Sequence, residues 1–276
     1  MNILIATGGS PHSTVALTFA AHLARLCGAK LTVLTVIKRE VDRARAEEIL
    51  EGARFMLDPL MPPSNYQTLI RVGHPAEEIV AEAENAPYSL VVVGEKQHHG
   101  LITRFVLGST AQRVIEHAPC PVVLVKGQIG PIRRILICDS GVEKAPVVDQ
   151  VAEQLPALLK GADSITVLHV MSQMGAGPGI DGHQLRADAV QLIHEDSPEG
   201  RALHHDLQVL GHEGFTCVPK VRHGLVVNEI LAEARDRHYD LVIIGAHRGG
   251  GWRRILLDDI AHQIVTGLDR PVLVVR

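Results

Sequence analysis

Glycine and hydroxyl residues follow two apolar runs in the first half of the chain, at positions where they could hold a phosphate. The first group, Thr7-Gly8-Gly9-Ser10, comes directly after the run Ile3–Ala6. The second extends from Gly94 through Gly100 to Gly108-Ser109-Thr110, where an amphipathic stretch begins. A helix start presents free backbone N–H groups and the positive end of the helix dipole, and hydroxyls add further donors. A Gly-Ser pair before a helix is also an ordinary N-cap, so phosphate binding and simple capping both remain open.

Short apolar runs rich in Val, Ile and Leu alternate with longer amphipathic stretches and would position these groups. The alternation is typical of βα units, in which helices cover both faces of a parallel sheet. Between the first two runs, Val15, Phe19 and Leu23 fall on one helical face, and Gly28 then ends the helix. The predicted strands are Ile3–Ala6, Leu31–Ile37, Thr68–Val72, Leu90–Val93 and Val122–Val125, followed by Ile135–Cys138, Ile165–Val170, Thr216–Val221, Leu241–Ile244 and Val272–Val275.

The second half of the chain repeats the first. The clearest echo pairs Tyr-Ser-Leu-Val-Val-Val-Gly at Tyr88–Gly94 with Tyr-Asp-Leu-Val-Ile-Ile-Gly at Tyr239–Gly245. A repeat of this length indicates domain duplication rather than a solenoid of small units. We therefore predict two domains, at residues 1–128 and 132–276.

Composition and charge argue against several kinds of partner. The chain has 276 residues, a formal net charge of -4 and no long run of Lys or Arg, so nothing in it favours nucleic acid or an acidic membrane surface. No uncharged apolar stretch is long enough to cross a bilayer, and the first run is too short for a signal peptide. The four cysteines form no CxxC pair. Together these features predict a cytoplasmic protein with reduced, buried thiols.

The sixteen histidines raise the question of a metal site, above all at His98-His99 and His204-His205. Adjacent histidines do not share one face of a helix or strand. No nearby carboxylate at i,i+4 completes a set of ligands in either place. We therefore predict solvated histidines and no metal centre.

Several separate motifs follow one another in the first half. They are Asn2-Ile-Leu-Ile-Ala-Thr-Gly-Gly-Ser10, Arg71-Val-Gly-His-Pro-Ala-Glu-Glu-Ile79, and the segment Phe105–Val125, which contains Leu-Gly-Ser-Thr. In this order they resemble the universal stress protein family, and the resemblance covers nearly all of both halves. It implies an α/β fold with two Rossmann-like domains, each a five-stranded parallel sheet of order 3-2-1-4-5 with helices on both faces. It also implies ATP or another adenine nucleotide as ligand in many members, whereas other members bind none.

The resemblance places the phosphates and ribose of such a nucleotide in the first half. The family's motif is a glycine, two residues, a second glycine, nine residues and then Gly-Ser or Gly-Thr. Here Gly94 matches the first position, Gln97 stands at the second, and Gly108-Ser109 is displaced by one extra residue. By resemblance, backbone at Gly94, Gly100 and Gly108 would approach the ribose and phosphates. Ser109 and Thr110 would donate to phosphate oxygens.

The adenine would lie on the other side of the same site. The resemblance places Val36, near the end of the second strand, beside the base. It places Thr7 and Gly8 in the loop where the family commonly has aspartate. Because Gly8 stands in place of that aspartate, a polar contact on the adenine side is lost.

The second half departs further from the family's motif. Gly245 is in place, but Asp258-Asp259 occupies the Gly-Ser position, and Ser140-Gly141 replaces the usual Asp-Gly after the first strand. Carboxylates repel phosphate, although a divalent cation such as Mg²⁺ could bridge the two. We therefore predict that only the first half holds a nucleotide and that the second is a degenerate domain kept for pairing.

Three functions remain open at this point. The first is a nucleotide-responsive stress module without enzymatic activity, because no Ser/His/Asp order or supported acid–base pair is found. The second is a nucleotide-independent structural interaction protein, whose halves pair without a ligand. The sequence leaves open whether two such chains form a homodimer. The third is an adenylating enzyme related to the pyrophosphatase-loop ligases, but Pro11-His12 breaks that motif. In each case we expect the halves to pair through Val122–Val125 and Val272–Val275, since these terminal strands would otherwise leave unpaired edges.

Overall fold

The computed structural model describes residues 1–95, 107–127, 129–139, 146–172, 188–194, 197–212, 214–246 and 259–275. Ten strands within these ranges form one sheet of order β3-β2-β1-β4-β5-β10-β9-β6-β7-β8. Each lies where the sequence predicts it, and most extend slightly beyond the predicted ends. The strands are β1 (Asn2–Ala6), β2 (Lys30–Ile37), β3 (Tyr66–Val72), β4 (Leu90–Gly94), β5 (Val122–Val125), β6 (Arg134–Cys138), β7 (Ser164–Ser172), β8 (Cys217–Gly224), β9 (Leu241–Gly245) and β10 (Val272–Val275).

The strand order within each half is the predicted 3-2-1-4-5, with all pairs parallel. The two halves do not form two separate sheets. Strands β5 and β10 pair antiparallel, with Leu124 opposite Val272 and Val123 opposite Leu273. This is the predicted contact between the terminal strands. It satisfies the backbone groups that each half would leave unpaired at its edge.

Helices cover both faces of this sheet. Among the described residues, no helix combines the length and apolar character needed to cross a membrane. Short 3₁₀ turns at Glu40–Asp42 and Pro63–Asn65 flank the second helix. The helices are α1 (Pro11–Cys27), α2 (Arg43–Leu57), α3 (Pro75–Asn85), α4 (Ser109–His117), α5 (Val147–Gln154), α6 (Pro156–Lys160), α7 (Ala189–His194), α8 (Pro198–His212), α9 (Val226–Asp236) and α10 (Asp259–Gly267).

Helix α1 shows how local sequence sets these boundaries. The Ser10 side chain accepts a hydrogen bond from the Ser13 amide, and Pro11 stands where its fixed φ suits a helix start. At the other end, Gly28 adopts a left-handed conformation with φ 58° and donates back to carbonyls of the last turn. Because Ser10 and Pro11 define its start, the helix begins directly after the glycine loop that follows β1.

Two apolar layers lie on the two faces of the sheet, and each runs through both halves. Ile3, Ile5 and Ile135 belong to the layer that includes α1, whereas Leu4 and Leu136 belong to the opposite one. This alternation is the period-two pattern of a strand that is buried on both faces. Because both layers cross the β5–β10 junction, the halves share their hydrophobic core.

Replacing Gly161 with alanine should weaken the contact between the halves. A Cβ built at Gly161, which follows α6, lies only 2.3 Å from Cδ1 of Leu26 in α1. The Leu26 side chain would have to move, and overpacking of this kind typically costs about 1 kcal/mol or more. We expect the free energy of unfolding, measured by urea denaturation, to fall by roughly that amount.

Gly52→Ala provides the matched control. Gly52 lies within α2, and a Cβ added there meets nothing within 4 Å. Alanine in an open helical position should stabilise the protein by about 0.5 to 1 kcal/mol. Equal stabilisation by the two substitutions would show that α1 and α6 are not in close contact.

Candidate functional site

The loop after β1 begins with a buried residue, Thr7, followed by an exposed one, Gly8. The Thr7 amide donates to Leu34 O (2.9 Å), which continues the pairing of β1 with β2. The Thr7 hydroxyl lies 3.2 Å from Oγ of Ser13 in α1, and the residue is only 7% exposed. Gly8 is exposed, and a Cβ added there would meet nothing within 4 Å. Of these two predicted site residues, only Gly8 therefore faces open space.

Gly94 ends β4 and packs closely against α1. A Cβ built there lies 2.7 Å from the carbonyl oxygen of His12 and 3.0 Å from Cβ of Ala16. Any larger residue would push α1 away from the sheet. The packing of α1 is thus sufficient to explain the glycine, and its contact with a ligand remains a prediction.

The predicted phosphate donors lie together at the start of α4. Gly108 is the N-cap residue, with φ -60° and ψ 138°, and as a glycine it has no side chain of its own to cap the first turn. Ser109 is exposed and Thr110 partly so. Backbone amides in the first turn of a helix have no partner within the helix, so they can bind an anion. Gly100, the remaining predicted glycine, lies outside the described residues.

A carboxylate that the sequence analysis did not single out contacts this helix start. Oε1 of Glu95 accepts a hydrogen bond from the amide of Gly108 (2.9 Å). Because Glu95 directly follows β4, the bond holds the start of α4 against the end of that strand. An acidic residue immediately after Gly94 was visible in the sequence, but its partner was not.

Val36 lies at the same carboxyl-terminal edge of the sheet, near the end of β2. It lies in β2, one residue before the strand ends, and packs against the apolar layer that includes α4 residues. Strand β2 pairs with β1, and β1 pairs with β4, all parallel. The carboxyl ends of parallel strands share one edge, where ligands of open α/β sheets bind. Val36, Gly8 and the start of α4 therefore border one region.

Asp139 gives the second half a different arrangement at the matching place. It follows β6 as Thr7 follows β1, and its amide donates to Leu168 O (3.1 Å). Its carboxylate accepts hydrogen bonds from the amides of Val147 (2.6 Å) and Val148 (3.3 Å) at the start of α5. The sequence analysis missed this cap, although an aspartate directly after an apolar strand is a usable signal.

Two buried ionisable side chains, His169 and Asp206, lie near Asp139. His169 occupies the position in β7 that Thr35 has in β2, where the Thr35 hydroxyl bonds to Thr7 O (3.1 Å). Burial lowers the pKa of His169, and a hydrogen bond with the Asp139 backbone opposes this. Burial also raises the pKa of Asp206 in α8 to about 8, with smaller contributions from other carboxylates. At the position of Thr35, the second half therefore buries an ionisable side chain, His169, in place of a hydroxyl.

Only part of the degenerate motif of the second half falls within the described residues. Asp259 is the first residue of α10, so an acidic side chain stands in the first turn where the first half has Ser109. Asp258, Ser140 and Gly141 lie outside the described residues.

Histidine and cysteine chemistry is limited in the described part of the chain. Nε2 of His205 lies 2.9 Å from Oδ1 of Asp149 in a half-exposed pair, and the predicted pair His98-His99 falls outside the described residues. No group of three His, Cys, Asp or Glu residues in the described ranges is placed to hold a metal ion. All four cysteines are free thiols, and burial raises the pKa of Cys27 to about 11 and that of Cys217 to about 12. Such thiols are poor nucleophiles at neutral pH.

Comparison with known proteins accounts for the duplicated architecture. The sequence matches the model of the universal stress protein family at residues 1–126 and again at 131–276. The chain belongs to this family. Its two matches lie one in each half, so it is a tandem universal stress protein.

Relatives of this universal stress protein have either one or two such units. A universal stress protein of Mycolicibacterium smegmatis is 25% identical, over 99% of this chain and 96% of its own length. Universal stress protein YxiE of Bacillus subtilis is 30% identical, over 45% of this chain and 97% of its own length. The crystal structure of a universal stress protein from Archaeoglobus fulgidus matches with a TM-score of 0.74 at 19% identity, covering 100% of this chain and 98% of that one. The last likeness supports the fold of the whole tandem chain.

Proposed function

We propose that this tandem universal stress protein is a binding module for an adenine nucleotide and not an enzyme. The site lies in the first half, with the adenine beside Val36 and the phosphates at Gly108, Ser109 and Thr110. Backbone at Gly94 and Gly100 borders the ribose and phosphates, and Thr7 and Gly8 form the adjoining loop. Magnesium enters only together with the nucleotide, as a bridge between phosphate and carboxylate oxygens.

The start of α4 is the observation that carries this proposal. Its N-cap is a glycine without a side-chain cap, and a Cβ there would meet nothing within 4 Å. Exposed hydroxyls follow at once, and the helix start adjoins the carboxyl end of β4. Open backbone amides, hydroxyls and a helix dipole together suit a phosphate. Membership of the family provides the expectation of an adenine nucleotide.

The proposal extends to the organisation of the chain. Residues 1–128 and 132–276 form the two units, and the second is kept mainly for pairing with the first. Asp259 at the start of α10 supports this, because its charge opposes that of a phosphate. Free, weakly acidic thiols are consistent with a reducing compartment, and we place the protein in the cytoplasm.

A nucleotide-independent interaction protein is the second candidate function. Carboxylates stand at the start of both equivalent helices, Glu95 at α4 and Asp259 at α10. Each of them stabilises its helix start without a ligand. Under this alternative, the function depends on the paired halves, with their shared core and β5–β10 contact, and not on a ligand. No nucleotide then copurifies with the chain.

Replacing Ser109 with alanine should weaken nucleotide binding. The hydroxyl would donate to a charged phosphate oxygen, and such hydrogen bonds contribute about 1.5 to 3 kcal/mol. Because Ser109 is exposed, we expect a loss at or below the lower end of that range, about 1 to 2 kcal/mol, or a roughly 5- to 30-fold higher Kd. Calorimetric titration of the purified chain with AMP and ATP, with and without Mg²⁺, measures the change.

Ser64→Ala is the control for this titration. Ser64 is exposed in the 3₁₀ turn before β3, at the amino-terminal end of that strand and therefore at the opposite edge of the sheet. Its replacement should leave Kd unchanged. Binding by wild type that Ser109→Ala does not weaken would remove Ser109 from the site. The absence of any adenine nucleotide, both in the titration and in mass spectrometry of the denatured protein, would favour the nucleotide-independent alternative.

A further inference from the structure

Glu95 occupies the place at which the proposed function puts a phosphate. Its backbone is fixed by the sheet, because its amide donates to Val125 O (3.0 Å). Its side chain then reaches the start of α4, where Oε1 accepts the hydrogen bond from Gly108 N (2.9 Å). A carboxylate oxygen on an N-cap amide makes the same kind of contact that a phosphate oxygen makes at a helix start.

The fold itself does not require this carboxylate. Ala246 holds the equivalent position in the second half, since it follows β9 directly and its amide donates to Val275 O (3.0 Å). Ala246 is buried and has no group that could reach a helix start. The end of β9 therefore forms with alanine at this position, whereas the end of β4 has glutamate. The difference points to a role of Glu95 in what the first half binds.

A basic residue, Lys126, lies near the Glu95 carboxylate. The Lys126 ammonium contacts the carbonyl oxygen of Val265 in α10, and burial lowers its pKa to about 8 while Glu95 and Asp269 oppose that shift. Lys126 is thus a cation close enough to Glu95 to interact with it, but it is almost completely buried. Glu95 is only half-buried, so its carboxylate is the more accessible of these two charges at the start of α4.

We propose that Glu95 is an internal competitor of the ligand's phosphate and makes the first half select adenine ligands of low negative charge. This inference rests on the proposed function. A phosphate reaches the amide of Gly108 only when the Glu95 carboxylate swings away or a cation offsets its charge. Each added negative charge on the ligand increases the repulsion, so metal-free ATP is disfavoured most, AMP less, and adenosine least. Mg²⁺ relieves the repulsion by bridging carboxylate and phosphate oxygens.

The test is Glu95→Gln, which removes the charge but keeps an oxygen that can accept from Gly108. Binding of adenosine, AMP, ATP with EDTA, and ATP with Mg²⁺ is measured by calorimetry on the whole chain. For metal-free ATP we expect an affinity about tenfold higher in the variant, with a smaller gain for AMP and a change of less than about twofold for adenosine. The ratio of ATP affinities with and without Mg²⁺ should fall toward one.

Glu84→Gln, on the exposed surface of α3, is the matched control and should shift no affinity. Thermal unfolding confirms that both variants are folded. Equal ATP affinity in wild type and Glu95→Gln, with adenosine still bound, would overturn the competitor role and leave the proposed function standing. A parallel loss of adenosine and ATP would also overturn it, because Glu95 would then hold the nucleoside. Failure of every ligand to bind either protein would overturn the proposed function and the competitor role together.

Discussion

Replacing Glu233 with alanine is expected to lower the free energy of unfolding by about 3 to 5 kcal/mol. The Glu233 side chain is fully buried, and Oε2 lies 2.5 Å from Nζ of Lys220 and 2.7 Å from Nε of Arg222. The Tyr239 hydroxyl donates to Oε1 (2.8 Å). Alanine would leave the mostly buried Lys220 ammonium and the Tyr239 hydroxyl without this acceptor, whereas Arg222 would keep Glu229 and Asp236. A buried charge that loses its partner is among the costliest defects in a protein.

Acid should reduce the contribution of Glu233. Burial opposes its ionisation, but the hydrogen bonds from Lys220, Tyr239 and Arg222 outweigh this and hold its pKa below the ordinary value. A carboxyl whose pKa is lower in the folded state stabilises the fold above its unfolded pKa. That stability is lost as pH falls through the folded value. The difference between wild type and Glu233→Ala should therefore be full at pH 7 and shrink in acid, as urea denaturation at several pH values would show.

The first half offers a matched control for this substitution. Arg71, Glu82 and Tyr88 repeat the spacing of Arg222, Glu233 and Tyr239, and Nη2 of Arg71 lies 2.5 Å from Oε2 of Glu82. Arg71 is 43% exposed, so solvent can compensate its charge. Glu82→Ala should cost less, about 1 to 2 kcal/mol. Equal losses in the two halves would contradict the argument from burial, and Glu233→Gln tests it if the alanine variant does not fold.

Replacing Asp206 with alanine should instead stabilise the protein, by about 5 kcal/mol at pH 8. Asp206 is 3% exposed, and burial raises its pKa from 3.8 to about 8, with Asp139 and Asp149 adding to the shift. Below pH 3.8 the carboxyl is neutral in both states and costs little. Between the two values the unfolded chain loses the proton and the folded chain keeps it, so stability falls as pH rises through this window. The gain from alanine should therefore grow from near zero at pH 4 to its full size at pH 8.

The equivalent helix shows that alanine fits this position. Leu203, Asp206 and Leu210 of α8 have the spacing of Leu50, Ala53 and Leu57 of α2, and all are buried. Thermal and urea unfolding of Asp206→Ala across pH 4 to 8 measures the effect. The reciprocal change, Ala53→Asp, should destabilise the first half with the same pH dependence. A gain from Asp206→Ala that is independent of pH would show that ionisation of Asp206 is not its cause.

Much of the fold followed from the sequence. Runs such as Leu90–Val93 and Leu241–Ile244 are short, continuous and apolar, which is the pattern of strands covered on both faces. The family resemblance implied the order 3-2-1-4-5, and edge-strand physics predicted the β5–β10 contact. The strands and the contact depend on local pattern and on general rules of packing, so they can be read without coordinates, whereas the strand order came from the resemblance.

The candidate site was less completely predictable. The sequence placed Gly108, Ser109 and Thr110 at a helix start, because capping and turn chemistry are local. It did not show that Glu95 bonds to Gly108 or that Gly94 packs against His12, since both contacts join separate elements through the path of the chain. Asp206 was likewise unremarkable in a helix of polar and apolar residues. Sequence by itself determined the elements and where their ends carry useful groups. Only the tertiary structure decided which polar side chains are buried and which charge meets the helix start, because both depend on what lies next to a residue in space.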